Sequence, residues 1–183
     1  LEFAIALAEG MLKRFYDPAQ GGFWQSGGGA KHLILRIKDD YDGAEPSGNS
    51  VAALALLKIG AICDQAKYRD AAEKTLRLFA ERMHQLPQAL PLMLHALDFF
   101  LEEPRRVVIA GQYADSKALE LLRAAHSVYQ PNKVVLGNVG PVEEFARTLP
   151  EKDGPVVYLC TGKACLPPTS NLGEVRTLLQ KAY

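Results

Sequence analysis

The residue types best suited to chemistry lie in a polar segment at positions 42–50, ahead of a long apolar run. The segment contributes two carboxylates and an amide, from Asp42, Glu45 and Asn49. Two carboxylates about 5–10 Å apart can act as acid and base on a glycosidic bond, and all three side chains can bind hydroxyl groups. A second interpretation is structural, because a proline and two serines in the segment are typical of a helix start that these oxygens would cap. Both interpretations stay open, with Asp42 and Glu45 as catalytic candidates.

Two aromatic residues stand between glycine clusters upstream of that segment. Phe23 and Trp24 follow a glycine pair at 21–22 and precede a glycine triplet at 27–29. Aromatic rings on a polar loop suit stacking against sugar rings, so both residues join the three polar side chains as candidate ligand-binding residues. The alternative is a short hairpin anchored in the core.

A pair of cysteines near the C-terminus is the third candidate. Cys160 ends a predicted strand, and Cys165 follows five residues later. This spacing is not the two-residue spacing of thioredoxin-type sites, but a loop through Gly162 can bring the thiols together, and Lys163 favours a thiolate. Both cysteines are therefore catalytic candidates for redox chemistry. The alternative is two small apolar side chains packed in a loop.

The sequence predicts no metal site and no cofactor. Besides that pair it holds only Cys63, and no second close pair of cysteines or histidines supplies a zinc-binding set. The four histidines are dispersed, and His95, on an apolar helix, is expected to be a hydrogen-bonded core residue. Gly111 ends a predicted strand that precedes a helix, but the glycine fingerprint of dinucleotide-binding units is missing.

Charge and hydropathy narrow the range of partners. The 21 basic and 21 acidic residues cancel and are scattered, so no field attracts nucleic acid or anionic lipid. No apolar run reaches the roughly 18 residues of a membrane helix, so no membrane partner is predicted. A sparse, odd count of three cysteines argues against a secreted disulfide scaffold, and the expected location is a reducing cytoplasm.

The predicted secondary structure changes from helical to mixed near residue 104. Before it, helical periodicity predicts four helices and a weaker strand: 1–15, 47–62, 67–84 and 87–102, with the strand at 33–38. After it, three strands alternate with helices: strands 106–111, 133–137 and 155–160, and helices 115–129, 142–149 and 171–182. Such alternation predicts parallel strands with right-handed crossovers. The expected fold is α plus α/β, with helical hairpins over 1–104 and a small three-stranded parallel unit over 105–183.

The chain begins with neither a methionine nor a basic leader, and its helical pattern starts at the first residues, as in a helix whose N-terminal part is missing. We therefore expect a C-terminal fragment of a larger cytoplasmic protein. Helices 1–15 and 47–62 should then expose apolar faces made for missing neighbours. The predicted protein partner is the N-terminal part of the parent protein, or a second copy in a homodimer.

Several segments together resemble one family. The stretch 39–52, Asp-Asp-Tyr-Asp-Gly-Ala-Glu-Pro-Ser-Gly-Asn-Ser-Val-Ala, resembles the hallmark of the DUF255 proteins. These are the YyaL-like, thioredoxin-domain-containing proteins that include spermatogenesis-associated protein 20. Segments 88–91, 106–109 and 160–168 also resemble that family, in its order. The resemblance spans nearly the whole chain.

The resemblance implies three parts in the parent protein. They are an N-terminal thioredoxin-like domain, an (α/α)6 toroid similar to N-acylglucosamine 2-epimerases and six-hairpin glycosidases, and a C-terminal tail. This chain then corresponds to the last toroid hairpins and the tail, and segment 17–23 resembles the loop that rims the sugar pocket of such toroids. Epimerases of this fold work with histidines on inner helices. Helix 47–62 has none, so that activity is not carried over.

Two functional hypotheses follow. The chain is expected to be a fragment without independent catalysis, whose parent protein is carbohydrate-active or binds a small-molecule sugar. The alternative is a thiol redox module that acts through Cys160 and Cys165 together with the thioredoxin-like domain.

Overall fold

The computed structural model describes residues 1–28 and 35–181. The chain forms two compact units, the first made of residues 1–60 and 65–101, the second of residues 61–64 and the chain from 102 onward. The first unit is helical, and the second combines helices with a sheet. The fold class is therefore α+β.

Five α-helices form the described part of the first unit. They are α1 (Glu2–Phe15), α2 (Gly48–Cys63, whose end belongs to the second unit), α3 (Ala66–Leu78), α4 (Ala80–Gln85) and α5 (Pro91–Leu101). The helix predicted over 67–84 is two helices, because the backbone at Phe79 (φ −95°, ψ 6°) leaves helical geometry. The helix predicted over 87–102 begins as a 3-10 turn and becomes α-helical at Pro91, where the missing N–H costs nothing.

The core of the first unit comes from side chains at helical spacing. Leu56 on α2, Tyr68 on α3 and Met93 and Phe99 on α5 are all buried. Helix α3 packs against α5. Burial of one face of each helix, rather than helix propensity alone, stabilises such short helices.

The loop after α1 is a tight, backbone-bonded turn. The amide of Asp17 donates to the carbonyl oxygen of Gly22 (2.9 Å), the amide of Trp24 donates to that of Phe15 (2.9 Å), and Tyr16 forms an antiparallel bridge with Phe23. The strand predicted over 33–38 is absent from residues 35–38, and residues 33 and 34 lie outside the described residues.

A mixed sheet of four strands organises the described part of the second unit, in the order β2-β1-β3-β4. The strands are β1 (Arg105–Ala110), β2 (Lys133–Gly137), β3 (Val156–Thr161) and β4 (Ala164–Cys165), and the helices are α6 (Ser116–His126), α7 (Glu144–Thr148) and α8 (Leu172–Gln180). Strands β1 and β2 are parallel, whereas β3 is antiparallel to β1 and forms a hairpin with β4.

The prediction of three parallel strands is therefore wrong. Ala110, the last residue of β1, pairs with Val156, the first residue of β3. The chain between β2 and β3 therefore leaves and re-enters the sheet at the same end of the strands, and its helix α7 has only five residues. A third parallel strand would instead require a crossover that returns along the face of the sheet.

Side-chain oxygens explain where two helices of this unit begin. Asp115 accepts a hydrogen bond from the amide of Lys117 at 2.7 Å, just before α6. Asn171 accepts from the amides of Gly173 (2.8 Å) and Glu174 (3.1 Å) before α8. Each cap satisfies amides that have no partner inside the helix.

The two faces of the sheet carry different side chains. Val107, Ile109 and Leu159 lie in an apolar core shared with α6 and α8. Because side chains alternate along a strand, Arg106 and Cys160 lie on the opposite face. That face therefore carries both a cationic side chain and a cysteine.

We expect Gly21→Ala to lower the free energy of unfolding by about 1–3 kcal/mol. Gly21 has a φ of +80°, and an added Cβ would lie 2.5 Å from the carbonyl oxygen of Lys74. Gly10→Ala is the matched control, because no heavy atom lies within 4 Å of its added Cβ and alanine should stabilise α1 by about 0.5–1 kcal/mol. Urea unfolding followed by circular dichroism measures both. A Gly21 variant as stable as the unsubstituted chain would contradict this account of the loop.

Candidate functional site

Asp42 joins the starts of two helices. Its Oδ1 accepts a hydrogen bond from the amide of Ser47 (2.8 Å), just before α2. Its Oδ2 accepts from the amides of Leu92 (2.8 Å) and Met93 (3.4 Å) in the first turn of α5. Helix N-termini favour a negative charge, and Asp42 is buried between them. The carboxylate therefore serves as a shared cap.

Asn49 is buried in the first turn of α2 and holds the aromatic segment. Its Oδ1 accepts from the amide of Phe23 (2.6 Å), and its Nδ2 donates to the carbonyl oxygens of Phe23 (3.1 Å) and Asp39 (3.0 Å). Phe23 is only 5% exposed and packs against the ring of Tyr16. The geometry favours the interpretation of Phe23 as a residue anchored in the core. The side-chain amide of Asn49 is bonded to the backbone of the chain itself.

Glu45 differs from its neighbours because its side chain is exposed. The hydroxyls of Ser47 and Ser50 are buried and hydrogen-bonded to each other at 2.9 Å. Acid–base catalysis by Asp42 with Glu45 stays a prediction. The observed bonds of Asp42 are those of a structural carboxylate.

Trp24 is half-buried and borders an open depression of about 430 Å³ in the first unit. Polar side chains supply part of its lining: Gln20, Lys38, Asp40, Arg82 and Gln85. The Nζ of Lys38 lies 4.4 Å from the centroid of the Trp24 ring, and the guanidinium of Arg36 lies 4.8 Å from it. Lys38 also bonds Asp17 at 2.8 Å, and that bond lowers the pKa of the Asp17 carboxyl. The ring is thus in contact with cations rather than open on all sides.

Cys160 and Cys165 form a disulfide across the β3–β4 hairpin. They lie directly opposite each other, with Cα atoms 4.0 Å apart. The two-residue turn between the strands begins at Gly162, whose φ of +56° suits glycine. The amide of Leu166 donates to the carbonyl oxygen of Leu159 (2.9 Å), so the cysteines occupy the non-hydrogen-bonded pair, where opposite residues come closest. The structure selects the bonded interpretation over two packed thiols.

The two sulfur-bearing residues differ in exposure. Cys160, on the inner strand β3, is 2% exposed, whereas Cys165, on the edge strand β4, is half-buried. An open groove of about 400 Å³ runs past both residues, but its lining includes Leu159 and Leu178, so it lies on the α8 face, opposite the cysteine side chains. Because Cys165 is the more exposed of the two, an incoming thiol reaches it more easily than Cys160.

Sequence reasoning missed a charged pair beside this hairpin. Arg106 donates hydrogen bonds to the carboxylate of Glu143 and to the carbonyl oxygen of Gly162. The Arg106 and Glu143 side chains are 13% and 7% exposed. Burial raises the pKa of the Glu143 carboxyl, and Arg106 opposes that rise. Because 37 residues separate the partners, the only hint in the sequence is an arginine inside an apolar strand.

His95 does not match the expectation of a hydrogen-bonded core residue. Its Nε2 is buried and has no hydrogen-bond partner among the described residues. The described residues also contain no group of three or more histidine, cysteine or acidic side chains placed to hold a metal ion. None of the described helices is long and apolar enough to cross a membrane.

We expect Asp42→Ala to lower the free energy of unfolding by about 2 kcal/mol, because the amides of Ser47 and Leu92 would lose their acceptor. Glu45→Ala is the matched control, since it removes an exposed carboxylate three residues away and should change stability by less than about 0.5 kcal/mol. Chemical denaturation measures both variants. Equal stabilities would show that Asp42 is not a cap.

The sequence of the chain is similar to those of known proteins. No family model matches the chain. It is 38% identical over 193 residues to spermatogenesis-associated protein 20 of Mus musculus and of Homo sapiens, in alignments that cover 99% and 98% of this chain. An uncharacterized protein of Caenorhabditis elegans is 31% identical over 160 residues, which cover 81% of this chain. The chain spans 24% of the length of the mouse and human relatives. With this identity along nearly its whole length, the chain belongs to the spermatogenesis-associated protein 20 family.

Proposed function

We propose that this chain has no independent catalytic activity and contributes reversible thiol–disulfide exchange at Cys160 and Cys165 to a larger protein. The observation that carries the proposal is the cross-strand disulfide of the β3–β4 hairpin, one residue pair from the turn. A reducing cytoplasm, the expected setting, makes permanent structural disulfides rare and favours transient ones.

A purely structural role accounts poorly for this bond. The two cysteines are five residues apart, and the entropy model gives a loop of this size only about 2 kcal/mol of stabilisation. The Gly162 turn and the Leu166–Leu159 hydrogen bond already fix the register of the hairpin. The disulfide connects no distant parts of the chain.

The exposure of the two cysteines gives the exchange a direction. A thiolate of a protein dithiol attacks Sγ of Cys165, forming a mixed disulfide and breaking the bond to Cys160, whose sulfur leaves with the electron pair. The second thiolate of the partner then attacks the partner's first cysteine sulfur in the mixed disulfide, and Cys165 leaves as a thiolate. Two electrons pass to the chain, and the partner becomes a disulfide. The resemblance implies a thioredoxin-like domain in the parent protein, and such a dithiol is the reductant that the proposal requires.

In glutathione buffers of graded ratio, we expect Cys160 and Cys165 to convert together as one two-electron couple. Alkylation followed by peptide mass spectrometry reads each cysteine separately, and a tenfold change in equilibrium constant should correspond to about 30 mV. Cys63 is an internal reference outside the pair, and burial raises the pKa of its thiol.

Cys63→Ser should leave the midpoint unchanged, whereas Cys165→Ser should abolish the couple. Two cysteines that are alkylated independently across the whole series would overturn the proposal. A disulfide that yields to reductant only when the chain unfolds would overturn it as well.

A second candidate function is sugar binding beside Trp24, supported by the polar lining of its depression. Segment 17–23 forms part of this region and resembles the rim loop of (α/α)6 toroids. In this form of the proposal, residues 1–104 are the last hairpins of such a toroid. The sugar would bind Trp24 with Gln20 and Asp40, because Asp42 and Asn49 are held in internal bonds.

Trp24 is the single tryptophan, so its fluorescence reports binding directly. We expect one member of a panel of mono- and oligosaccharides to change this fluorescence saturably. Asp40→Ala should weaken that binding about tenfold, since a hydrogen bond to a charged group is lost. Glu151→Ala, which removes an exposed carboxylate of the second unit, should leave it unchanged. Silence across the panel would reject this candidate.

A further inference from the structure

We infer that Arg106 is the positioning residue of the Cys160–Cys165 pair, holding the hairpin turn and stabilising the thiolate that Cys160 becomes on reduction. The inference rests on the proposed exchange and deepens it. It identifies the charge that controls which sulfur leaves and how readily it does so.

The register of the sheet places the relevant side chains in one row. Arg106 on β1 pairs with Cys160 on β3, and Cys160 pairs with Cys165 on β4. Residues directly opposite each other in neighbouring strands share a face of the sheet and have Cβ atoms about 5 Å apart. The base of the arginine side chain is therefore a direct neighbour of the buried cysteine.

The guanidinium reaches from this row to the turn. Arg106 donates to the carbonyl oxygen of Gly162, the first residue of the turn that joins the two cysteine strands. This bond does not depend on the disulfide, so the hairpin keeps an anchor to β1 after the sulfur–sulfur bond breaks. The guanidinium thus bonds a residue that is only two positions from Cys160 along the chain.

Glu143 supplies the opposing charge. Its carboxylate accepts from Arg106, while its Oε1 is buried without a hydrogen-bond partner among the described residues. Burial raises the pKa of this carboxyl, with a smaller contribution in the same direction from Asp64. An ionised Glu143 weakens the positive potential that Arg106 exerts at Cys160. A neutral side chain at position 143 would remove that opposing charge, so the positive potential at Cys160 would rise.

Other charged groups border the hairpin. Glu103 lies beside Gly162, with its Oε1 2.9 Å from where a Cβ on that glycine would stand. Arg105 and Lys181 line the groove, and Lys163 is in the turn. The groove and turn cations are exposed or half-buried and are screened by solvent, whereas Arg106 is nearly buried. Arg106 is therefore the least screened of these cations.

This placement matches the chemistry of exchange. When a thiolate attacks Cys165, the electron pair of the broken bond goes to Cys160, and a leaving sulfur of lower pKa departs faster. A cation beside Cys160 lowers that pKa and stabilises the reduced state. Arg106 would thus speed reduction and raise the reduction potential of the pair.

The test uses the full chain, reduced with a phosphine so that both thiols exist whether or not exchange with thiols is reversible. Alkylation rates of Cys160 are measured against pH by peptide mass spectrometry. We expect Arg106→Met to raise the pKa of the Cys160 thiol by about 1 unit and to lower the reduction potential. Glu143→Gln should shift both quantities in the opposite direction. Arg106→Lys, which keeps the charge but not the forked geometry, should fall between Arg106→Met and the unsubstituted chain.

Arg123→Met removes an exposed arginine from α6 and is the control, which should move neither quantity. If Arg106→Met does not fold, two other variants replace it. Glu143→Gln tests the effect on the Cys160 pKa and the reduction potential, and the double variant Arg106→Met/Glu143→Gln removes the arginine without leaving an unpaired carboxylate. A Cys160 pKa and a potential that stay unchanged in the folded variants would overturn the inference while leaving the exchange itself intact. A pair that never responds to glutathione, but whose Cys160 pKa follows Arg106, would overturn the exchange alone.

Discussion

The reversal of the chain at Gly162 is the constraint on which the chemistry of the C-terminal unit depends. A two-residue turn leaves one register for β3 and β4, and that register sets Cys160 opposite Cys165. The pairing of β3 with β1 then sets Cys160 beside Arg106. The turn at Gly162 thus brings the two cysteines together, and the pairing of β3 with β1 adds the distant Arg106 to the same row.

The helical unit uses polar groups for a different purpose. Asp42 and Asn49 are among the residues best equipped to bind a ligand, yet their polar atoms satisfy backbone amides and carbonyls within the first unit. A buried carboxylate or amide is stable only with such partners, and it then fixes the segments it joins. Polar side chains at a helix start therefore organise the scaffold here.

Sequence patterns predicted the elements better than their arrangement. Helix α1 and helices α6 and α8 were expected because apolar periodicity acts over a few residues. The direction of β3 was missed, since an apolar strand reads the same in either direction, and the short helix α7 resembles a crossover. The partnership of Arg106 with Glu143 could not be predicted, because it depends on the register of the sheet and on a loop 37 residues away.

The proposed exchange requires that the Cys160–Cys165 disulfide opens and closes while the hairpin keeps its fold. We would record carbon-13 chemical shifts of the two Cβ atoms on one sample before and after adding a dithiol. We expect disulfide shifts before reduction, thiol shifts afterwards, and amide signals of β1 and β2 that stay dispersed, with small changes only beside Cys160. Thiol shifts in the untreated oxidised sample, or collapse of the β1 and β2 signals on reduction, would rule out such an exchange.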